Sequence, residues 1–299
     1  MSFAEIAVVT GGTGFVGSRL VRALLARGAQ VRIVSSGSAT GDAKLKDDAR
    51  LAWFGLSDAD LDRASEGATH FFNFGVVYDR PSIDDATISA INVDLPMSIV
   101  ARLKAQGLAA TCILGDTFFR KFPPEATAQA RYTRSKNELA KRLNGFANEQ
   151  ALRLALLQIE QVYGPGEAFT KALPAVTKQL VEGVPRIAMT SGVQGRDFVF
   201  VDDVVEAAMI AAHSEWDGVA VVECGRGVAI PVRDVFKQLH DIARSGSVLG
   251  FGDIAMTQGI DSSVADTSWL SSRGWNPRVS LREGLTRLVR DVEARVART

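Results

Sequence analysis

The stretch Thr10 to Gly17, TGGTGFVG, constrains the fold of this chain more than any other. Before it, Ala4 to Thr10 is a short β-branched apolar run, the signature of a strand buried on both faces. After it, Phe15 to Arg27 runs at helical period. Val16, Leu20, Ala23 and Leu24 share one face, and Gly28 stands where a helix-ending glycine belongs. Strand, glycine bend and helix in that order form a phosphate-binding turn. Gly11 permits the tight turn, Gly14 lets a pyrophosphate approach the backbone, and Gly17 allows close helix–strand packing. The free N–H groups of the bend, with those of Thr13, Phe15 and Val16 among them, and the dipole of the following helix then hold a dinucleotide.

The alternation continues down the chain. Strands are predicted over Gln30–Val34, Thr69–Phe74, Ala109–Leu114 and Leu152–Leu157. A long helix is predicted over Ile83–Gln106, with Pro96 as a possible kink, and a charged amphipathic helix over Tyr132–Asn148. Ser35 to Arg50 reads as a polar loop. Alternating strands and helices predict an α/β fold, a Rossmann-type doubly wound parallel sheet with right-handed crossovers. Past Tyr163 the pattern loosens at Gly164-Pro165-Gly166. The expected division is a dinucleotide-binding domain over 1–165, to which 197–224 returns, and a smaller C-terminal substrate-binding lobe over 166–196 and 225–299.

Composition narrows the function classes. With 34 Lys+Arg against 34 Asp+Glu, the chain carries no basic footprint for nucleic acid or an anionic membrane. No apolar run is long enough to span a bilayer, and no basic segment followed by an apolar run marks a signal peptide, so the cytoplasm is the expected compartment. Cys112 and Cys224 sit in apolar strand-like runs and read as buried small hydrophobes. His70, His213 and His240 lie at no metal-ligand spacing, so no metal is expected.

Two further features carry chemistry. At the end of the second strand a carboxylate would select NAD, whereas this chain has Ser35-Ser36-Gly37. Hydroxyls there, with Arg32 or Lys44 nearby, tolerate a 2′-phosphate; NADP(H) is therefore favoured over NAD(H). Tyr132 and Lys136 stand four apart on a predicted helix, so both side chains share a face. A neighbouring ammonium is expected to lower the phenol pKa and let Tyr132 exchange a proton with a carbonyl oxygen.

These stretches, with VYGPG at 162–166 and RDFVFVDDV at 196–204, resemble the extended short-chain dehydrogenase/reductases of the NAD-dependent epimerase/dehydratase family. Within that family GDTFFRKF at 115–122, IEQVYGPG at 159–166 and SSRGWNPRVSLREGL at 271–285 resemble nucleotide-4-keto-6-deoxysugar reductases of the CDP-abequose/CDP-paratose synthase kind. The resemblance implies an NAD(P)-dependent oxidoreductase acting on a nucleotide-diphosphate sugar. Tyr132 would be the proton donor and Lys136 its partner, bonded also to the nicotinamide ribose. Asn92 would lie on the cofactor side, and Arg196 would face the substrate diphosphate. It also implies a homodimer built on the helices around Ala86–Gln106 and Tyr132–Asn148, where Ile88, Ile91, Leu95 and Ile99 form a stripe.

The chain departs from the family pattern at several positions. Gly115 stands where a Ser or Thr usually meets the substrate carbonyl; Thr117 is the nearest hydroxyl, with Asp116 beside it. Gln158 and Gln161 replace an arginine and an asparagine near the substrate pocket. Two other readings fit the same motifs: a 4-epimerase retaining NAD, and a dinucleotide-binding sensor or scaffold with vestigial catalysis. The acidic pair Asp202-Asp203 is read as capping the helix from Val204.

Overall fold

The apolar run before the glycine bend forms β1 (Ile6–Thr10), and the periodic segment after it forms α1 (Gly17–Ala26). The computed structural model describes residues 5–37, 48–107, 109–146, 152–256 and 259–298. They continue with β2 (Gln30–Val34), β3 (Leu51–Phe54), α2 (Asp58–Ser65), β4 (His70–Asn73), α3 (Asp85–Ser89) and α4 (Leu95–Ala105). Next come β5 (Ala110–Thr117), α5 (Ala130–Asn144), β6 (Leu152–Ile159), β7 (Gln161–Tyr163), α6 (Ala172–Val181) and β8 (Arg186–Met189). Then follow β9 (Gly195–Phe200), α7 (Val201–Ala212), β10 (Val219–Cys224), β11 (Ala229–Pro231) and α8 (Val232–Ala243). The last are β12 (Val248–Phe251), α9 (Ser268–Ser271) and α10 (Leu281–Val296). The chain forms two compact units, Met1–Ile159 with Val205–Val222, and Glu160–Val204 with Glu223–Thr299.

The first unit carries a seven-stranded sheet in the order β10-β6-β5-β4-β1-β2-β3. The pairs from β3 across to β6 are parallel. The order reverses between β1 and β4, the point at which a doubly wound sheet opens a crevice at its carboxyl edge. Val8, Phe71, Cys112, Leu114 and Leu154 of the sheet, with Ile99, Leu103, Leu139 and Leu143 of α4 and α5, pack in one buried cluster. Each such side chain stabilises the fold by about 1.5–3 kcal/mol. Cys112 and Cys224 are buried and free, and burial pushes the Cys112 thiol up to about 12. Among the described residues no helix is long and apolar enough to cross a membrane.

Three elements differ from the sequence expectation. β3 and α2 lie between the predicted second and third strands, where no element was expected. β3 is a short edge strand without full burial, so its periodicity is weak. The predicted helix over Ile83–Gln106 is interrupted by a wider π turn at Ala90–Asp94, through which the Leu95 amide reaches back to the Ala90 carbonyl. Pro96, which has no N–H, then sits in the opening turn of α4, where none is needed. In the expected interface stripe, Ile88 and Ile99 are buried within the chain itself, leaving Ile91 and Leu95 half-buried.

The second unit holds a sheet in the order β11-β9-β7 and a parallel pair of β12 with β8. Residues 197–200 were expected in the main sheet; they belong instead to β9, which pairs with β7 and β11. Asp197, fully buried on β9, explains the placement. Its carboxylate accepts from the Arg226, Gly227 and Ala265 amides at 2.6, 2.9 and 3.1 Å and so anchors two loops. Asp203 does likewise. Rather than capping its helix, its carboxylate takes the Arg278 and Val279 amides at 2.9 and 3.3 Å, and its carbonyl takes the Trp275 indole N–H at 3.0 Å.

Glu167 in this unit is buried, and its Oε2 has no hydrogen-bond partner among the described residues. Burial raises its carboxyl to about 7, with Lys171 opposing. Because the folded pKa lies above the unfolded value, this group costs stability as pH rises from about 4.5 through 7. Glu167→Gln should therefore melt about 3–5 °C above the parent protein at pH 8, and the gap should close toward pH 5 in differential scanning calorimetry.

Candidate active site

The bend between β1 and α1 is built on one carbonyl. Gly11 has φ +69°, and a Cβ there would lie 2.4 Å from the Phe74 carbonyl carbon and the Gly75 nitrogen. Its own carbonyl oxygen accepts from the Gly14 amide at 2.9 Å. A Cβ on Gly17 would stand 2.1 Å from that oxygen. Only glycines close this turn. Among the described residues the amides of Gly12, Thr13, Phe15 and Val16 find no protein acceptor, and α1 starts without a side-chain cap. Unpaired amides at a helix start fit the phosphates of a dinucleotide.

At the end of β2 the Ser35 amide donates to the Phe54 carbonyl at 3.0 Å, and the Ser35 hydroxyl accepts from the Gly37 amide at 3.2 Å. No carboxylate stands at Ser35, Ser36 or Gly37. Arg32 is not available there. Its guanidinium is engaged by the carbonyls of Arg63, Ala64 and Glu66 at 3.2, 3.0 and 2.5 Å, at the C-terminal end of α2. Lys44 lies outside the described residues.

The carboxyl end of β5 and one face of α5 hold the second cluster. Tyr132 and Lys136, one helical turn apart, are both buried, with 6% and 2% of their surface exposed. The Thr117 side chain stands beside the Tyr132 phenol and weakly opposes the rise of its pKa. Thr117 also caps its own turn, accepting from the Phe119 amide at 3.3 Å. Lys136 Nζ donates to the Gly115 carbonyl at 2.6 Å and lies 5.8 Å from the centre of the Tyr132 ring. Gly115 is tight: a Cβ would press on the Asn73 carbonyl oxygen and the Phe74 ring, each at 3.1 Å. A serine or threonine there would need the end of β4 to give by a few tenths of an ångström, and the nearest hydroxyl along β5 is that of Thr117.

The electrostatics differ from the sequence expectation. Desolvation pushes the phenol of Tyr132 well above its ordinary value, and the Tyr78 and Asp116 charges add to this; the ammonium does not pull it down. Lys136 itself is lowered to about 8 by burial, against the raising effect of Asp116. Asp116 is raised by burial, with Arg120 and Lys136 opposing. Its Oδ2 pairs with Arg120, and its Oδ1 has no hydrogen-bond partner among the described residues. Arg120 was not foreseen from sequence, although its spacing from Asp116 on GDTFFR is legible.

Asn92 lies in the π turn with no exposed surface. It accepts from the Val77 amide at 2.8 Å and donates to the Val77 carbonyl at 2.8 Å and to Ser135 Oγ at 3.0 Å. Its side chain thus holds a backbone segment against α5. Arg131 secures the same segment through Asp79, at 2.8 Å, and the Arg80 and Ile83 carbonyls. The segment carries Tyr78, whose ring sits 5.1 Å from that of Tyr132. Neither Tyr78 nor Arg131 belongs to a motif that the sequence marks.

In the second unit, the half-buried Arg196 donates to the Gly195 and Ile260 carbonyls at 2.6 and 2.9 Å. Burial lowers its pKa, while Glu160 and Asp261 raise it. Gln161 opens β7, partly exposed.

A doubly wound sheet with a glycine bend at its first crossover and a Tyr–Lys pair on the helix that follows its fifth strand defines a dinucleotide-dependent oxidoreductase architecture. Residues 7–225 match the NAD dependent epimerase/dehydratase family, and the chain belongs to it. It is 26% identical to CDP-abequose synthase of Salmonella typhimurium over 96% of this chain and 98% of that one. It is 25% identical to GDP-L-fucose synthase 1 of Arabidopsis thaliana over 67% of this chain and 68% of that one. The fold is that of Thermus thermophilus UDP-glucose 4-epimerase, solved in complex with NAD, at TM-score 0.80 and 22% identity, covering 96% and 99% of the two chains.

The crowding at the bend makes a direct test. Gly17→Val should force the turn open and weaken NAD(P)H binding at least about tenfold by fluorescence titration, since the phosphate-binding amides then lose their alignment.

Proposed function

We propose that this protein is an NADP(H)-dependent reductase of a nucleotide-diphosphate 4-keto-6-deoxyhexose. The observation that carries the reading is the buried phenol of Tyr132, which stands beside Thr117 and one helical turn from Lys136 and is held in its protonated form by desolvation. Reduction of a ketone consumes a proton at oxygen, and a phenol of raised pKa beside a second hydroxyl is a proton donor. The full-length similarity to CDP-abequose synthase supports the same substrate class.

In this reading the residues act as follows. The amides of the bend, with those of Thr13, Phe15 and Val16 among them, hold the pyrophosphate, and Ser35 and Ser36 hold the 2′-phosphate. Lys136 holds the nicotinamide ribose, and Asn92 keeps the Val77 segment in place around it. When bound, the reduced nicotinamide supplies the hydride that adds to the keto carbon. Thr117 polarises the carbonyl, and Tyr132 gives its proton to the alkoxide oxygen as it forms. Lys136 lies largely protonated below its pKa of about 8, so its ammonium can donate to the ribose as well as to the Gly115 carbonyl. Asp116 favours the charged form of Lys136, and Arg120 pairs with Asp116. Arg196 supplies charge for the diphosphate and Gln161 a polar contact to the substrate; remote binding of this kind orients the sugar.

A panel of nucleotide-4-ketosugars with NADPH oxidation followed at equilibrium and in initial rates tests the assignment. Net oxidation of NADPH with one of them is the expected result. Interconversion of 4-epimers without net redox, with cofactor retained through purification, would assign the epimerase reading instead. Dinucleotide binding without turnover on any substrate would assign the sensor reading. Tyr132→Phe should lower kcat by about 10²–10⁴-fold with NADPH affinity little changed. NADPH should bind at least about tenfold more tightly than NADH in calorimetric titration, as expected of charge-assisted hydrogen bonds to the added phosphate.

A further inference from the structure

The amino-terminal edge of the main sheet carries a second cluster of chemistry-bearing side chains, at the end of the strands opposite to the glycine bend. Glu5 immediately precedes β1, His70 opens the neighbouring strand β4, and His213 follows the last residue of α7. All three lie in the first unit. One ligand atom from each falls within 4.8 Å of the others. His70 Nδ1 is 3.7 Å from Glu5 Oε1, and His213 Nε2 is 3.6 Å from Glu5 Oε2. Around a tetrahedral ion with bonds of about 2.0–2.1 Å, ligand atoms stand roughly 3.3–3.5 Å apart, so the three ligand atoms, now within 4.8 Å of one another, close in on a bound ion.

The hydrogen bonds fit that use. His213 Nδ1 lies 2.7 Å from the Met209 carbonyl, which can only accept, so the hydrogen is on Nδ1 and the lone pair on Nε2. Thr69 Oγ1 stands 2.9 Å from His70 Nδ1 but has a second acceptor for its hydrogen in the Ile6 carbonyl at 3.2 Å, and it accepts from the Ile6 amide at 3.1 Å. Glu5 Oε1 is buried with no hydrogen-bond partner among the described residues. A buried carboxylate oxygen without a donor is costly, and a cation removes that cost. The His213 side chain keeps 40% of its surface exposed, which leaves a path for entry.

We propose that Glu5, His70 and His213 form a binding site for a borderline divalent cation of the zinc class, with water in the fourth position. Two imidazoles and one carboxylate select such an ion over magnesium or calcium, which prefer all-oxygen sites. The bound ion ties the start of β1 to the start of β4 and the end of α7. Residues 65 and 143 positions apart come together only through the parallel β1–β4 pairing and the return of α7, which is why histidine spacing alone excluded a metal.

The test uses untagged, chelator-stripped protein. Zinc is titrated in competition with a chromophoric chelator, and cobalt is added in parallel to report geometry through its visible absorption. One zinc per chain, an intense tetrahedral cobalt spectrum and a zinc-dependent rise in melting temperature are expected. His213→Gln and Glu5→Gln should each lose at least about tenfold in affinity and lose the melting shift. His240→Gln, at the remaining histidine in the second unit, should keep both. Zinc uptake by the parent protein no greater than by His213→Gln, or a weak six-coordinate cobalt spectrum, would overturn the site. The cobalt spectrum of the parent protein decides the matter even where a variant folds poorly.

Discussion

One carbonyl oxygen, that of Gly11, sets the geometry at the head of the main sheet. It receives the Gly14 amide at 2.9 Å and leaves no room for a side chain at Gly17, while Gly11 itself is pressed against the Phe74–Gly75 backbone. The turn therefore closes only in glycine, and closing it turns the amides of residues 12, 13, 15 and 16 away from the protein's own acceptors. The same contact fixes the end of β4 against β1. Because Gly115 in turn packs against Asn73 and Phe74, the position of β5, and with it Thr117 and the carbonyl that holds Lys136, follows from the bend. The two halves of the candidate site are linked through three adjacent strand ends.

The price of that arrangement is paid in desolvated charge. Lys136, Asp116 and Arg120 form a buried group in which each ion needs another, and Asp116 Oδ1 is left without a donor. Apolar residues of similar volume would stabilise the fold as well or better. Buried, perturbed groups gathered at the carboxyl edge of a parallel sheet are instead the mark of a reaction site. The second unit uses buried carboxylates differently: Asp197 and Asp203 are saturated by backbone amides and hold loops rather than protons.

Much of the first unit was legible because buried parallel strands and amphipathic helices write their periods directly into the residues. β1, β2, β4, β5 and β6 fall within a few residues of their expected bounds. β3 escaped because an edge strand needs no continuous apolar run, and β9 was assigned to the wrong sheet because an apolar strand does not name its partner. The Tyr–Lys pair was legible as a spacing on a helix. The direction of its electrostatics was not, because desolvation depends on everything packed around the pair.

The sequence by itself determined the glycine bend, the α/β alternation and the pairing of Tyr132 with Lys136, since each rests on residues within one or two turns of one another. Only the tertiary structure decided what surrounds them. Asn92, expected on the cofactor side, clamps the Val77 backbone, a contact that no spacing announces. Tyr78 reaches the phenol from a segment that no motif marks, and Arg32 is drawn away from the end of β2 to the carbonyls at the C-terminal end of α2. Glu5, His70 and His213 meet for the same reason. Local interactions are encoded over a few residues of chain, whereas burial, dielectric environment and long-range contact are properties of the packed sheet.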